Sequence, residues 1–260
     1  MTTTTLAPMP TGSPLPAALE DRTVMIIGGS SGIGLAAGEL LASVGARVVL
    51  VGRDKARLET ALDHVRATPG ASALGIAADG NDESAVERAL DQAGQVDHVL
   101  VTAGTIAAGA LLDTPREQVS EVVDGRIWGA YGVARAAAPR LPAGGSITFT
   151  SGLYLMRPVP GASASIAAIG AVEGLTRALA VELAPRRLRV NAVRYGVVDT
   201  PLARTAMELA DDAAVAAAGE GLLIGRLGTA QEAASASLFL MANNLMTGTV
   251  LTVDGGQGLV

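Results

Sequence analysis

Val24-Met25-Ile26-Ile27 is a short apolar run that empties into Gly28-Gly29-Ser30-Ser31-Gly32-Ile33-Gly34 and then into a segment of strong helical character. That order, strand then glycine turn then helix, restricts the chain more than any other feature, because it reads as a cradle for the phosphates of a dinucleotide. Gly28 is free to take the backbone angles of a tight turn, Gly32 lets the main chain approach a pyrophosphate, and Gly34 lets the next helix pack close to the strand. The helix start adds unpaired N–H groups and the positive end of a dipole. A tight turn without a ligand is the alternative reading of the same glycines.

The rest of the chain repeats the alternation. Ile33, Ala36, Ala37, Leu40, Leu41 and Val44 recur at helical spacing, and Gly45 is a natural stop. Further strand-like runs lie at Arg47–Val51, Ala73–Ala77, Val96–Val101, Ser146–Thr150, Leu188–Val193 and Thr249–Val253, with helical patterns between nearly all of them. A polar helix is predicted from Asp54 to about Ala67, and Asn81 or Asp82 can cap another that runs to Gly94. Short links between alternating strands and helices predict an α/β fold: a doubly wound, seven-stranded parallel sheet with helices on both faces, of Rossmann type. Residues 22–260 read as one dinucleotide-binding domain. Residues 1–21, with Thr2 to Thr5 and four prolines, read as a flexible leader.

Composition narrows the partners. A chain of 260 residues that is 49% hydrophobic can bury one substantial core. Its net charge of −6 and the lack of any basic run oppose a nucleic-acid partner. There is no cysteine, hence no disulfide, thiol nucleophile or thiolate metal site. His64 and His98 have no partner at metal spacing, so no metal is expected. No stretch of about 18 uninterrupted apolar residues occurs, so no membrane partner is expected and a cytoplasmic location is the default.

Further motifs follow the glycine turn in order: Asp79 after the third strand, Ala103-Gly104 after the fourth, Ser151 after the fifth, and Arg189-Val190-Asn191-Ala192-Val193 on the sixth. Gly196 with Asp199-Thr200-Pro201 comes next, then Gly225-Arg226-Leu227-Gly228 and Val253-Asp254-Gly255-Gly256. From about Leu19 to Gly256 the chain thereby resembles the short-chain dehydrogenase/reductase family. The resemblance implies that Gly28, Gly32 and Gly34, with Ser31 and Ile33 of the same loop, hold the pyrophosphate. It implies that Asp79 contacts the adenine and that Gly104, Gly196, Val198 and Thr200 flank the rest of the cofactor. A helix cap is an equal reading of Asp79. Family members that prefer NAD usually carry an acidic residue at the end of the second strand. Here that place is Gly52, followed by Arg53, whose guanidinium suits the 2′-phosphate of NADP, with Ser30 as a hydroxyl donor. NADP is therefore expected over NAD, although Asp54 leaves a free ribose as an alternative. The resemblance also implies a homo-tetramer or dimer, and Ala162, Ala164, Ala167, Ala168, Gly170 and Ala171 allow close helix contact; packing onto the sheet explains them equally well.

The family's proton-transfer pair is absent. Its tyrosine aligns with Ser165 and its lysine with Ile169, and Lys55 is the sole lysine of the chain. The family's Asn-Asn-Ala-Gly is Val101-Thr102-Ala103-Gly104, and the asparagine that supports a proton-relay water is Arg126. Ser151 matches the substrate-orienting serine. Tyr154 and Tyr195 are the phenols nearest the expected nicotinamide pocket, while Tyr131 reads as a packing residue. Either of the first two can donate a proton, with Arg126 or Arg194 holding charge on the reacting oxygen; tyrosines that merely line a groove are the alternative. Leu202 to Leu223, rich in alanine, is expected to cover a small or aliphatic substrate. The function this implies is an NADP(H)-binding oxidoreductase for a small carbonyl or alcohol compound, working through a non-standard proton donor. A catalytically silent cofactor-binding protein and a non-redox isomerisation or elimination are the other readings.

Overall fold

The computed structural model describes residues 16–104 and 108–260. Its strands are β1 (Thr23–Ile27), β2 (Arg47–Gly52), β3 (Ser72–Ala77), β4 (His98–Val101), β5 (Ser146–Gly152), β6 (Arg189–Tyr195) and β7 (Val250–Val253). Every residue of β1 is buried, as befits a strand in the middle of a parallel sheet covered on both faces. The sheet runs β3-β2-β1-β4-β5-β6-β7, with all pairs parallel. Parallel neighbours need crossovers, and helices supply them: α1 (Gly32–Ser43), α2 (Lys55–Arg66), α3 (Glu83–Ala93), α4 (Arg116–Val123), α5 (Gly129–Ala137), α6 (Ser163–Glu182), α7 (Pro201–Ala206), α8 (Asp212–Gly219) and α9 (Ala230–Ala242). The doubly wound Rossmann-type fold expected from the sequence is thus the observed one, in a single domain.

Side chains alternate across each strand, so the sheet has two cores. Val49, Val99, Ile147 and Val190 meet α3, α5 and α6 on one face. Val48, Leu50 and Leu100 meet α1, α2 and α9 on the other. Helix α6 is long and apolar enough to cross a bilayer by composition, yet it lies on β5 and β6 with Val172, Glu173, Thr176 and Leu179 buried.

Three local expectations change. Part of the leader is packed: Pro16–Leu19 forms a 3-10 turn, and Leu19 is only 1% exposed among residues of α1 and α9. Residues 1–15 of that leader lie outside the described residues. The fourth strand starts at His98 rather than Val96, because Asp97 turns its carboxylate onto the Thr23 amide at 2.8 Å. Tyr131 is half exposed and meets Trp128 edge to face, with ring centroids 6.2 Å apart, instead of packing inward. Trp128, the only tryptophan, is 62% exposed.

The Arg189-Val190-Asn191 motif proves to be a clamp for the C-terminal segment. Buried Arg189 donates to the carbonyls of Leu240 and Met241 at 2.6 Å each, in the last turn of α9, where a cation also complements the helix dipole. Burial lowers its pKa to about 10. Asn191 bonds Met246 O at 2.8 Å and the Thr249 amide at 3.1 Å, which sets β7 beside β6.

Candidate active site

In an open parallel sheet, ligands bind beyond the carboxyl ends of the strands, where the strand order reverses. Here that point lies between β1 and β4. The turn after β1 is closed against the end of β4 so tightly that glycine is required. Gly28 has φ +93°, and an added Cβ would stand 2.6 Å from the Ala103 amide nitrogen. A Cβ on Gly34 would stand 2.4 Å from the Gly28 carbonyl oxygen and 2.6 Å from Thr102 Oγ1. Thr102 donates its hydroxyl to Gly28 O at 3.1 Å and so fastens β4 to the cradle. Ser31 is the N-cap of α1 but makes no side-chain cap bond, so the first amides of α1 face the turn without a protein hydroxyl on them. Ile33 packs between the two cores on the α9 side. Thr200 reaches across from beyond β6, where a Cβ on Gly32 would meet its methyl at 3.3 Å; its hydroxyl caps α7 through the Ala203 amide. The cradle therefore has the shape and the open donors that a pyrophosphate needs.

At the end of β2, the side chain of Ser30 stands beside Gly52, where a Cβ would be 3.3 Å from Ser30 Oγ. Arg53 is exposed there. The one carboxylate close by, Asp54, accepts the Arg57 amide at 3.0 Å as the cap of α2. Asp79 is not a helix cap: Asp82 caps α3 through the Ser84 and Ala85 amides, while exposed Asp79 bonds the Asn81 amide at 3.0 Å.

Gly196 and Val198 each pack closely against neighbours. A Cβ on Gly196 would strike Asp254 Cα at 2.8 Å, so the glycine serves the C-terminal segment. The Val198 side chain is buried with Val193 and Leu240 in the small core under α9, leaving only its backbone toward the cleft side.

The reaction end differs most from expectation. Tyr195 is the main correction: only 6% exposed, it hydrogen-bonds Ser237 Oγ at 2.8 Å inside the α9 core. The cause is strand geometry, since neighbours on β6 point to opposite faces, and Arg194 takes the face toward α6. Burial also pushes the Tyr195 hydroxyl well above the usual phenol range. Arg194 is not open to a substrate oxygen either. It grips Glu173 of α6 through both carboxylate oxygens, Nε–Oε1 at 2.9 Å and Nη2–Oε2 at 2.7 Å, with Thr252 and Met156 also in contact. Glu173 is 2% exposed and takes a third bond, from Ser151 Oγ at 2.7 Å. Burial alone would raise its pKa, but the hydrogen bonds of Arg194 and Ser151 and the charges of Arg194 and Arg177 outweigh burial and hold it below the usual carboxylate value.

Glu173 was missed in the sequence. Its signal was there: a lone acid on the stripe of α6 that also carries Ile169, Thr176 and Ala180 must be paired if that stripe faces the core. Ser165 and Ile169 are both buried on the same helix. Tyr154 lies half-buried on the 3-10 turn Leu153–Leu155, which follows β5 directly.

Arg126 sits in a single π-helical turn, Asp124–Trp128, between α4 and α5, a distortion that recurs at functional sites. Its guanidinium lies so close to Gly104 that a Cβ there would be 2.5 Å from Cζ. Val101, Ala103, Ala130, Phe149, Thr150 and Val172 complete a small cavity around it. Desolvation lowers its pKa from the ordinary arginine value. The expected cover over the cleft consists of α7 and α8, tied down where Arg204 bonds both oxygens of Asp199, at 2.6 and 2.9 Å, and Asp212 at 2.8 Å.

Known proteins are similar to this chain in sequence and fold. A family profile described as Enoyl-(Acyl carrier protein) reductase matches residues 28–257. The chain is 35% identical over 253 residues to the short-chain dehydrogenase/reductase ATR9 of Stachybotrys chlorohalonatus, covering 93% of this chain and 98% of that one. It is 34% identical over 244 residues to carbonyl reductase family member 4 of Danio rerio, covering 92% and 99%. Among solved structures, a short chain oxidoreductase of Pseudomonas aeruginosa PAO1, NADPH-bound and with an atypical catalytic center, superposes with a TM-score of 0.85 at 32% identity, over 92% of this chain and 97% of that one. Cradle, sheet order and these relatives agree, and the chain belongs to the short-chain dehydrogenase/reductase family.

Proposed function

We propose that the protein is an NADP(H)-dependent oxidoreductase acting on a small carbonyl or alcohol compound through a proton donor other than the family's tyrosine. The observation that carries the cofactor choice is the end of β2. A 2′-phosphate would meet the exposed Arg53 guanidinium and the Ser30 hydroxyl beside Gly52, while Asp54, the carboxylate that would otherwise suit a free ribose, has one oxygen on the Arg57 amide as the cap of α2. Gly28, Ser31, Gly32, Ile33 and Gly34 with the start of α1 would hold the pyrophosphate, Asp79 the adenine side, and Gly104 with Thr200 the far end. When bound, the nicotinamide supplies or takes the hydride.

Arg126, whose guanidinium lies beside Gly104 and lines the small cavity, is the cation suited to hold negative charge on a reacting oxygen. With Tyr195 hydrogen-bonded to Ser237 in the α9 core, Tyr154 on the turn after β5 is the remaining phenol of the two. The small cavity at Arg126 is lined mostly by apolar residues, Val101, Ala103, Ala130, Phe149 and Val172, which suits a small apolar substrate. The names of the relatives, a carbonyl reductase and an NADPH-bound oxidoreductase with an atypical center, support the same reading.

Calorimetric titration tests it: NADPH should bind more tightly than NADH, and Arg53→Ala should weaken NADPH about tenfold while leaving NADH unchanged, one charge-assisted contact being removed. Neither nucleotide binding at millimolar concentration would overturn the proposal. A silent cofactor-binding protein is the second reading, favoured by the burial of Ser165 and Ile169. It predicts NADPH binding with no turnover of any carbonyl or alcohol.

A further inference from the structure

A carboxylate held ionised only accepts hydrogen bonds. Ser151 Oγ, 2.7 Å from Glu173 Oε1, must therefore point its hydrogen at Glu173. Two consequences follow. Ser151 has only lone pairs to offer a ligand, so it recognises a group that donates, such as the hydroxyl of an alcohol, and not a bare ketone oxygen. And a path of two hydrogen bonds would lead from such a hydroxyl, through Ser151 at the carboxyl end of β5, to the buried carboxylate of Glu173 on α6.

We propose that Ser151 and Glu173 form the proton path that replaces the missing tyrosine and lysine, with the alcohol form of the substrate as the ligand recognised. This rests on the NADP(H) reading above. In the oxidation, the alcohol C–H bond breaks and its electron pair leaves with the hydrogen as hydride to the bound nicotinamide. The O–H proton passes to Ser151 Oγ as the Ser151 hydrogen passes to Glu173 Oε1, and the remaining O–H electron pair becomes the second C–O bond of the ketone. The proton on Glu173 returns through Ser151 to water after the ketone leaves. Reduction would require Glu173 to be protonated first, so that it donates to Ser151 Oγ and the Ser151 hydrogen is passed to the ketone oxygen. Ser151 touches the substrate and is the catalytic residue; Glu173 acts through it and is a positioning residue and proton holder. Arg194 of β6, with both nitrogens on Glu173, and Arg177 of α6, 3.8 Å away, keep that carboxylate ionised between turnovers.

Three variants separate the parts. Glu173→Gln keeps an acceptor for the Ser151 hydrogen but cannot take up its proton. For cyclopentanol oxidation with NADP, kcat should fall about a hundredfold or more, within the usual range for general acid-base help, while KM stays within about threefold. Glu173→Asp should recover part of that loss. Glu173→Leu combined with Arg194→Met replaces the buried pair by apolar side chains of similar volume, which a fold commonly tolerates. It frees the Ser151 hydrogen.

The readout without turnover is ligand-observed NMR on the protein free of cofactor. Wild type and Glu173→Gln should bind cyclopentanol at least about fivefold more tightly than cyclopentanone, roughly one hydrogen bond's worth. The double variant should show no preference. Glu173→Gln with kcat within about threefold of wild type would overturn the proton path. So would equal binding of alcohol and ketone by wild type, or no turnover of a secondary-alcohol panel by protein that binds NADP. If NADP(H) itself does not bind, the cofactor reading fails first, and titration tells that result apart.

Discussion

The cradle around β1 and the reaction end around β5 and β6 sit on the same edge of one sheet, yet they are held by different forces. The cradle is shaped by backbone against backbone: Gly28 on Ala103, Gly34 on Gly28. No titratable group takes part in those contacts. The reaction end is shaped by charge, with Arg194, Glu173 and Ser151 joined across two strands and a helix. Steric fit ignores pH and tolerates almost no substitution, whereas an ion network can be rebuilt residue by residue while the sheet beneath it stays put. The difference teaches that the glycine turn is fixed by shape and the charged end by its partners.

The comparison breaks most visibly at Arg194. Arg194→Met leaves Glu173 buried without its main counter-ion, at an expected cost of about 3–5 kcal/mol in urea unfolding at pH 7. The pH dependence gives the sign. In wild type the folded pKa of Glu173 is depressed, so its contribution is present above pH 4.5 and is lost as pH falls through the lower folded value. In the variant burial dominates and raises the pKa, so stability is lost as pH rises from 5 to 7. An equal loss at both pH values would contradict the account.

Gly34→Ala is the matching test of the cradle. Its Cβ meets backbone that cannot yield, for an expected cost of about 1–3 kcal/mol and at least tenfold weaker NADPH binding. That loss should be the same at pH 5 and pH 7, read by urea unfolding beside titration. Both measurements sit on a background from His98, which belongs to the opposite edge of the sheet and bonds Ser146 Oγ at 2.8 Å. Burial first, then the charges of Arg189 and Arg22, lower its pKa from 6.5 to about 3. The unfolded chain therefore binds the extra proton, and stability should fall by about 1.4 kcal/mol per unit as pH drops below 6.5 toward 3. His98→Gln should remove that slope from an acid-unfolding series. The smallest effect belongs to the cover: Asp212 is 92% exposed, so Asp212→Asn should change stability by less than about 0.5 kcal/mol in thermal melts, with any shift vanishing in high salt.

The same division decides what was legible in the chain itself. Strand and helix periods are local, and glycine marks close approach wherever it stands, so the sheet, its order of elements and the cradle could be read from neighbours in sequence. Tyr195 could not be placed that way, because one residue along a strand separates the cleft face from the α9 core, and the sequence reading put both Arg194 and Tyr195 at the cleft. The partners of Glu173 lie 21 and 22 residues away on two different strands, beyond any periodic pattern. Asp79 and Asp82 show an intermediate case, where both spacings allow a cap and only the turn after β3 selects Asp82.

Trp128 closes the π-helical turn that holds Arg126, two residues away, and is the only indole in the chain. The protein therefore carries a built-in optical reporter on the same helical turn as the arginine that lines its small cavity. Its ultraviolet emission overlaps the absorption of a reduced nicotinamide, so filling the cleft should dim the fluorescence without any dye, label or coupled assay.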